Sequence, residues 1–115
     1  MRFMMLYKPG HETDAPPTEQ EMAAMGQLIE DMAKTGVLVT ADGLQPSSRG
    51  VRVRISGDHF TVTDGPFAET KELVAGYAIV QVKSKAEAVE LARRFLRVAG
   101  TGESEIREMH DAAAF

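Results

Sequence analysis

The sequence contains no cysteine, and this absence removes several classes of chemistry. Disulfide bonds, thiolate nucleophiles, cysteine-ligated zinc sites and iron–sulfur clusters all require a thiol, so each of them is excluded. Cytoplasm is the compartment we expect for a chain with this composition.

Strongly basic segments are missing as well. The formal net charge is −4, and the densest basic segment, Arg93-Arg94 with Arg97, lies in a predicted helix that also carries acidic residues. Non-specific nucleic-acid binding needs a cluster of cations that neutralises several phosphates. We therefore expect no nucleic-acid partner.

Long hydrophobic runs are also absent. The apolar stretches span only a few residues, far fewer than the roughly 20 that cross a bilayer. The apolar N-terminal segment, residues 1–7, has no small-residue cleavage pattern, so it predicts a strand rather than a signal peptide. We expect no membrane association, and 115 residues of ordinary apolar content suit one domain over residues 1–115.

Histidines are few and scattered along the chain. His11 lies in a Pro/Gly-rich loop, His59 begins a predicted strand, and His110 is near the C-terminus. A metal site needs several converging ligands, and none of these histidines has a second ligand at a usable spacing. Gly-rich phosphate loops and serine nucleophile elbows are missing too, so the sequence predicts neither a metal site nor a cofactor.

Two capping boxes mark the beginnings of two predicted helices. In the segment 18–21 the Thr18 hydroxyl can bond the amide of Glu21, whose side chain can reach back, and segment 84–87 repeats the pattern. Gly36 ends the first helix and Gly100 the second. The predicted inward positions of the first helix are Met22, Met25, Leu28, Ile29 and Met32. Those of the second are Ala88, Leu91, Ala92, Phe95 and Leu96.

The remaining segments predict strands. They cover residues 2–8, 37–44, 51–56, 59–63, 74–82 and 103–109. Residues 51–56 alternate apolar and polar side chains, which predicts a half-buried strand that forms a hairpin with residues 59–63. Without this inserted hairpin the order is βαββαβ, so we predict an α+β, ferredoxin-like fold.

In that fold the helices cover one face of an antiparallel sheet. The other face still carries apolar residues, and a domain of this size usually covers such a face by pairing with a second copy. We therefore predict a homodimer whose two sheets face each other as a dimeric α/β-barrel.

A charged, rigid corner over residues 64–72 separates the hairpin from the next strand. Pro66 fixes its own φ, Gly65 allows a tight turn, and Asp64 can accept hydrogen bonds from the following amides as in an Asx turn. The charged side chains at this corner are Asp64, Glu69, Lys71 and Glu72. The corner is either a structural bracket or one wall of a site, and the sequence leaves both interpretations open.

The corner also carries a family resemblance. The segment VTDGPFAETKE (62–72), followed by Gly76-Tyr77, resembles the signature of the DGPF-type proteins of the YCII-related family. The segments RFMML (2–6), GVL (36–38) and GLQP (43–46) are similar to the same family. The resemblance covers nearly the whole chain and implies a dimeric α+β barrel of ferredoxin-like subunits.

For function the resemblance implies less. Many members are encoded beside extracytoplasmic-function sigma factors, which implies a regulatory link to such a factor. Distant relatives use a His–Asp pair in a cleft, and a few related dehalogenating or lactone-processing enzymes are known. Residues 18–34 contain no histidine, so that pair does not carry over to this helix.

The candidate site residues surround the corner and the open sheet face. Asp64 is the candidate general base, with a turn cap as the alternative, and Arg54 is the candidate cation for a ligand carboxylate, with solvent exposure as the alternative. Tyr7 and Tyr77, expected on the open sheet face, can donate hydrogen bonds into a cleft or belong to the core. The candidate ligand-binding residues are Tyr7, Arg54, Glu69, Lys71 and Tyr77.

These residues support three functional hypotheses. The first is a small dimeric protein that binds a small acidic molecule in a cleft beside the corner. The second is a cofactor-free enzyme of the lyase or isomerase type, and the third is a regulatory partner of a sigma factor. A structural dimer without a ligand also remains open.

Overall fold

The computed structural model describes residues 1–13, 15–68 and 72–111. In chain order its elements are β1 (Arg2–Pro9), α1 (Glu19–Lys34), β2 (Leu38–Gly43), a 3₁₀ helix (Ser47–Arg49), β3 (Val51–Ser56), β4 (His59–Asp64), β5 (Gly76–Gln81), α2 (Lys85–Ala99) and β6 (Gly102–Glu108). The predicted order is confirmed. β5 begins at Gly76 rather than at residue 74, although the amide of Ala75 still donates to the carbonyl of Tyr7 at 2.8 Å.

Four strands form one antiparallel sheet in the order β2-β5-β1-β6. β1 and β5 are the central strands, and β2 and β6 lie at the two edges of the sheet. This is the strand order of the ferredoxin-like split βαβ arrangement, so the predicted α+β, ferredoxin-like fold is confirmed. None of the helices within the described ranges is long and apolar enough to cross a membrane.

Both helices begin at the predicted caps. The Thr18 hydroxyl accepts from the amide of Glu21 at 3.1 Å, and the Ser84 hydroxyl accepts from the amide of Glu87 at 3.2 Å. The back-reaching half of the second capping box differs from the prediction, since Glu87 accepts from the amide of Lys83 at 2.9 Å. Each hydroxyl still satisfies an amide that the helix itself leaves unpaired.

The core lies between the helices and one face of the sheet. Its buried side chains are Phe3, Met5, Leu28, Met32, Val80, Val82, Ala88, Leu91 and Ala92. The predicted inward positions of the helices are thus largely confirmed, but Met22 is 54% exposed. Met22 lines a shallow groove beside Val98 and Ala99, where the first turns of α1 and the end of α2 leave a gap between them.

The β3–β4 hairpin differs from the prediction of a half-buried strand. It forms a separate two-stranded sheet, and Val53 and Ile55 are 64% and 58% exposed. The radius of gyration is 15.9 Å, whereas a compact domain of this length has about 13 Å. The larger radius indicates that the hairpin extends away from the core. Its two strands pair with each other and not with the four-stranded sheet.

The second face of the four-stranded sheet carries Met4, Leu6 and Ile79, each half-buried. The registers Phe3↔Val80 and Met4↔Ile79 place these side chains opposite the helix-covered face. No described helix covers them. The predicted pairing with a second copy through this face stays a prediction.

Candidate functional site

Gly65, at the charged corner, is held by a close backbone approach. A Cβ built on Gly65 would lie 1.6 Å from the carbonyl oxygen of Ser47, and the Gly65 amide donates to the Gly50 carbonyl at 3.0 Å. The φ of Gly65 is not positive. The glycine is therefore required because there is no space for a side chain, rather than because the turn needs a left-handed conformation.

Ser47 connects three segments at this corner. Its amide donates to Glu12 Oε2 at 2.7 Å, its hydroxyl donates to Glu12 Oε1, and that hydroxyl accepts from the amide of Phe67 at 3.1 Å. The guanidinium of Arg52 lies 3.9 Å from the centroid of the Phe67 ring. These contacts make this part of the corner a structural bracket between the loop after β1, the 3₁₀ helix and the hairpin.

Asp64 does not form the predicted Asx turn with the two described amides that follow it most closely. The Gly65 amide is bonded to Gly50, the Phe67 amide is bonded to Ser47, and Pro66 has no amide hydrogen. The Asp64 side chain is exposed and accepts no hydrogen bond within the described residues. The Gly65 and Phe67 amides bond to Gly50 and Ser47 instead of to the Asp64 carboxylate that the sequence suggested as a turn cap.

A cavity of about 330 Å³ lies between the two helices and the sheet. It is lined from the sheet by Met5, Tyr7, Ala41, Asp42, Gly43, Ala75, Gly76, Tyr77, Ala78 and Ser104. It is lined from the helices by Met25, Ile29, Met32, Phe95 and Ala99. Most of these side chains are apolar, and the described lining contains no lysine or arginine.

The cavity exists because small residues coincide at one end of the sheet. Gly43 faces Gly76 and Ala41 faces Ala78 across the β2–β5 pair. Further along the same pair, Leu38 faces Val80, and the fully buried Val80 fills the corresponding space. Because side chains in protein interiors normally fill their space closely, four small residues together leave room for another molecule.

Tyr7 forms one wall of this cavity. Its hydroxyl donates to the carbonyl of Thr101 at 3.1 Å, and its ring meets Phe95 edge to face at a centroid distance of 5.2 Å. Burial raises the pKa of the Tyr7 phenol above its ordinary value, so this group stays protonated near neutral pH. Tyr7 is therefore oriented as a neutral side chain with its ring against α2.

Asp42 and Tyr77 form a polar pair at the edge of the cavity. They face each other across the β2–β5 pair, and the Tyr77 hydroxyl donates to Asp42 Oδ2 at 3.1 Å. This hydrogen bond, with the charge of the carboxylate, raises the pKa of Tyr77. Asp42 was not among the predicted site residues, because its position beside Tyr77 depends on the β2–β5 register, which the sequence does not reveal.

The structure divides the predicted site residues into separate groups. Tyr7 and Tyr77 both line the cavity, but the registers Tyr7↔Gly76 and Leu6↔Tyr77 put their side chains on opposite faces of the sheet. The prediction that both tyrosines lie on the open face is therefore wrong for Tyr7, since adjacent strand positions alternate between faces.

The other candidate residues that the structure describes do not line this cavity. Asp64 and Arg54 are exposed on the hairpin and are not among the lining residues. Glu69 and Lys71 lie outside the described residues. The cavity is thus on the helix-covered side of the sheet, whereas the sequence predicted a site between the corner and the open face.

Comparison with known proteins identifies the family. The family model described as the YCII-related domain matches residues 1–111. The chain belongs to the YCII-related family. An uncharacterised protein of Rhizobium meliloti (strain 1021) is 30% identical to this YCII-related chain over 92 residues, which cover 79% of this chain and 74% of that protein.

One solved structure shares the fold of this YCII-related chain. It is the 5-chloro-2-hydroxyhydroquinone dehydrochlorinase of Burkholderia phenoliruptrix AC1100, in complex with 2,5-dihydroxybenzoquinone. The two structures match with a TM-score of 0.52 over 99% of this chain and 98% of that one. With 11% sequence identity, the likeness concerns the fold alone.

Proposed function

We propose that this YCII-related protein binds a small, mainly apolar, single-ring molecule in the cavity between α1, α2 and the sheet. The observation that carries the proposal is a cavity of about 330 Å³ formed where small residues face each other on β2 and β5. Natural ligand sites are concave and mostly apolar, with a few polar groups that fix the ligand's orientation. Tyr7 and Ser104, which face each other across the β1–β6 pair, are the polar side chains on the helix-covered face that lines this cavity.

The size of the cavity favours one ring with substituents. An apolar cavity of about 150 Å³ is large enough for benzene, and this one is about twice that volume. The thioether side chains of Met5, Met25 and Met32 line it. Methionine adapts its shape to a ligand and makes favourable contacts with aromatic rings.

The chemistry of the lining also bears on the ligand's charge. The described lining residues contain no cation that would pair with a carboxylate, and Arg54 is on the exposed hairpin. We therefore propose a neutral ligand rather than the acidic one expected from the sequence. The dehydrochlorinase with the same fold was solved with a hydroxylated single-ring quinone, which supports testing ligands of that size.

The test is a titration of single-ring phenols that are neutral at pH 7, such as hydroquinone and catechol, by calorimetry and thermal shift. Ala78→Leu places a larger side chain in the cavity and should weaken binding at least tenfold while leaving the protein folded. Ala23→Leu makes the same change on the exposed surface of α1 and should leave affinity unchanged. Equal affinities for the two variants would contradict the proposed site.

A further inference from the structure

A surface groove lies beside the cavity, between the first turns of α1 and the end of α2. Its lining includes Met22, Met25, Gly26 and Ile29 of α1 and Val98 and Ala99 of α2. Met25, Ile29 and Ala99 also line the cavity. The cavity and the groove are therefore adjacent spaces that share these three residues as a common wall.

The α1 side of the groove runs outward from this common wall. Its residues Met22, Met25, Gly26 and Ile29 are spaced i, i+3, i+4 and i+7, which places them on one side of the helix over about 10 Å. Met25 and Ile29 are half-buried, whereas Met22 and Gly26 are exposed. The groove thus leads from the wall of the cavity to the surface of the molecule.

The lining of the groove is apolar apart from one carboxylate. Met22 is 54% exposed here, although its helical spacing marks it as an inward position. Glu21 is the single charged residue among the lining residues that the structure describes. An uncharged apolar group in the groove would gain contacts with Met22 and Val98, whereas a carboxylate would meet the like charge of Glu21.

Gly26 keeps the middle of the groove open. A glycine in the interior of a helix destabilises it relative to alanine. Packing does not require this glycine, since its Cβ would meet none of the described residues within 4 Å, and its φ is not positive. What the missing side chain provides at this position is free space in the groove.

We propose that the groove binds a short, uncharged alkyl chain of the ligand whose ring lies in the cavity. This inference rests on the proposed function, and it narrows the ligand class to single-ring molecules with one apolar substituent. Met25 in the common wall has a flexible, unbranched side chain that adapts its shape to a neighbouring group, so it can move aside for the chain. Ala99, the wall residue of α2, has no atoms beyond Cβ and leaves room beside it.

The first test compares phenol with para-ethylphenol and para-butylphenol by isothermal titration calorimetry. A fully buried methylene raises affinity about fourfold, and a methylene in a groove that is open to water on one side about twofold. We therefore expect affinity to rise about twofold per carbon of the chain, which is about tenfold from phenol to para-butylphenol. Equal affinity for phenol and para-butylphenol overturns the inference.

The second test fills the groove. Gly26→Leu places a side chain in the open space and should weaken para-butylphenol binding about tenfold, to the level of phenol, while phenol binding changes less than about twofold. Ala23→Leu adds the same bulk to the exposed surface of α1 and should leave both affinities unchanged.

A third variant removes part of the groove wall instead of filling the groove. Met22→Ala truncates an exposed side chain and should reduce the gain from the butyl chain at least twofold, with phenol binding unchanged. It keeps the inference testable if Gly26→Leu alters the packing of α1. Circular dichroism verifies that each variant is folded.

The outcomes separate this inference from the proposed function. Phenol binding that Ala78→Leu weakens, without a gain from the alkyl chain, overturns the inference and leaves the proposed function standing. A gain from the chain that persists in Gly26→Leu, or that is lost equally in Ala23→Leu, also overturns the inference. Para-butylphenol that binds Ala78→Leu as tightly as the wild type overturns both, since the chain would then bind without a ring in the cavity. Absence of binding by all three phenols likewise overturns both.

Discussion

At the scale of single residues, the charged corner depends on Ser47, which the sequence analysis did not single out, and on Gly65, which it did. Ser47 is 8% exposed and is bonded to both Glu12 and Phe67, while Gly65 lies against the Ser47 backbone. The conspicuous acid of this corner, Asp64, makes no such contact among the described residues. The local structure is thus determined by hydrogen bonding and close packing rather than by charge.

Gly65→Ala should be strongly destabilising, because its Cβ would lie 1.6 Å from the Ser47 carbonyl and the backbone would have to move. Overpacking of this kind costs about 1–3 kcal/mol, and a backbone contact places this site at the upper end. Gly26→Ala is the control, since its Cβ would have no neighbour within 4 Å, and in a helix it should stabilise by about 0.5–1 kcal/mol. Urea denaturation measures both; a neutral Gly65→Ala would contradict the described packing.

Ser47→Ala should lower the free energy of unfolding by about 1–3 kcal/mol, because it leaves the partly buried Phe67 amide without a partner and removes one of the two hydrogen bonds that Glu12 accepts from residue 47. Ser56→Ala, at an exposed position of β3, should have an effect within about 0.5 kcal/mol. Chemical denaturation of the two variants is the measurement. Equal effects would indicate that the Ser47 bracket contributes nothing.

At the scale of elements, one end of the sheet is filled and the other is open. Val80 and Leu38 fill the space under the helices at one end, and the β2–β5 pair offers only glycine and alanine at the other. The same strands therefore form both the core and the proposed ligand site. The candidate site depends on strand pairing, since residues 41–43 and 76–78 are distant in sequence.

The pairing of β1 with β6 on the open face is supported by an ion pair. Lys8 Nζ lies 2.8 Å from Glu105 Oε1, and Arg107 also approaches Glu105. The hydrogen bond from Lys8, followed by that from Arg107, lowers the pKa of Glu105, and the bond with Glu105 raises the pKa of Lys8.

These pKa shifts predict where the pair stabilises the fold. Because the pKa of Glu105 is lowered, its contribution to stability is complete above the unfolded value of about 4.3 and is lost as the pH falls through the folded pKa. Because the pKa of Lys8 is raised, its contribution is complete below the unfolded value of about 10.4 and is lost as the pH rises through the folded pKa. The Tm difference between wild type and Lys8→Met should thus be present from about pH 5 to 10 and vanish in acid. Lys34→Met, which removes an exposed pair with Glu30, should change Tm less. A Tm difference that persists in strong acid would contradict this interpretation.

At the scale of the whole molecule, the described residues leave two apolar surfaces uncovered. One is the side of the β3–β4 hairpin that carries Val53, Ile55, Phe60 and Val62, and the other is the open face of the four-stranded sheet. The homodimer predicted from the sequence would cover them. The ferredoxin-like fold itself is complete within one chain, with helices on one side of the sheet. The strand order therefore does not depend on the predicted association.

If a second copy covers these surfaces, the thermal unfolding midpoint should rise with protein concentration, because association stabilises the folded state by mass action. Scanning calorimetry from about 1 to 100 µM should show an increase of several degrees, of the size that 1–2 kcal/mol produces in a domain of about 100 residues. A monomer would unfold at the same temperature throughout. The Val53→Glu/Val62→Glu variant should lose the dependence.

Local sequence patterns specify the helices and strands, their order and the family. The hydroxyls of Thr18 and Ser84, the apolar spacing in both helices and the βαββαβ order act over short distances, and local patterns report such effects directly. The dimer, the cellular compartment and the link to a sigma factor, which the sequence or the resemblance implied, stay predictions.

The face on which each strand residue lies, and the cavity, follow from strand pairing and packing in three dimensions. Whether Tyr7 and Tyr77 share a face depends on the register Leu6↔Tyr77, and a shift of one residue reverses it. The alternation of Val51, Val53 and Ile55 showed that one side of β3 is apolar, but not that this side is exposed. The cavity arises where small residues of separate strands meet, and because that is a property of packing in three dimensions, no local pattern contains it.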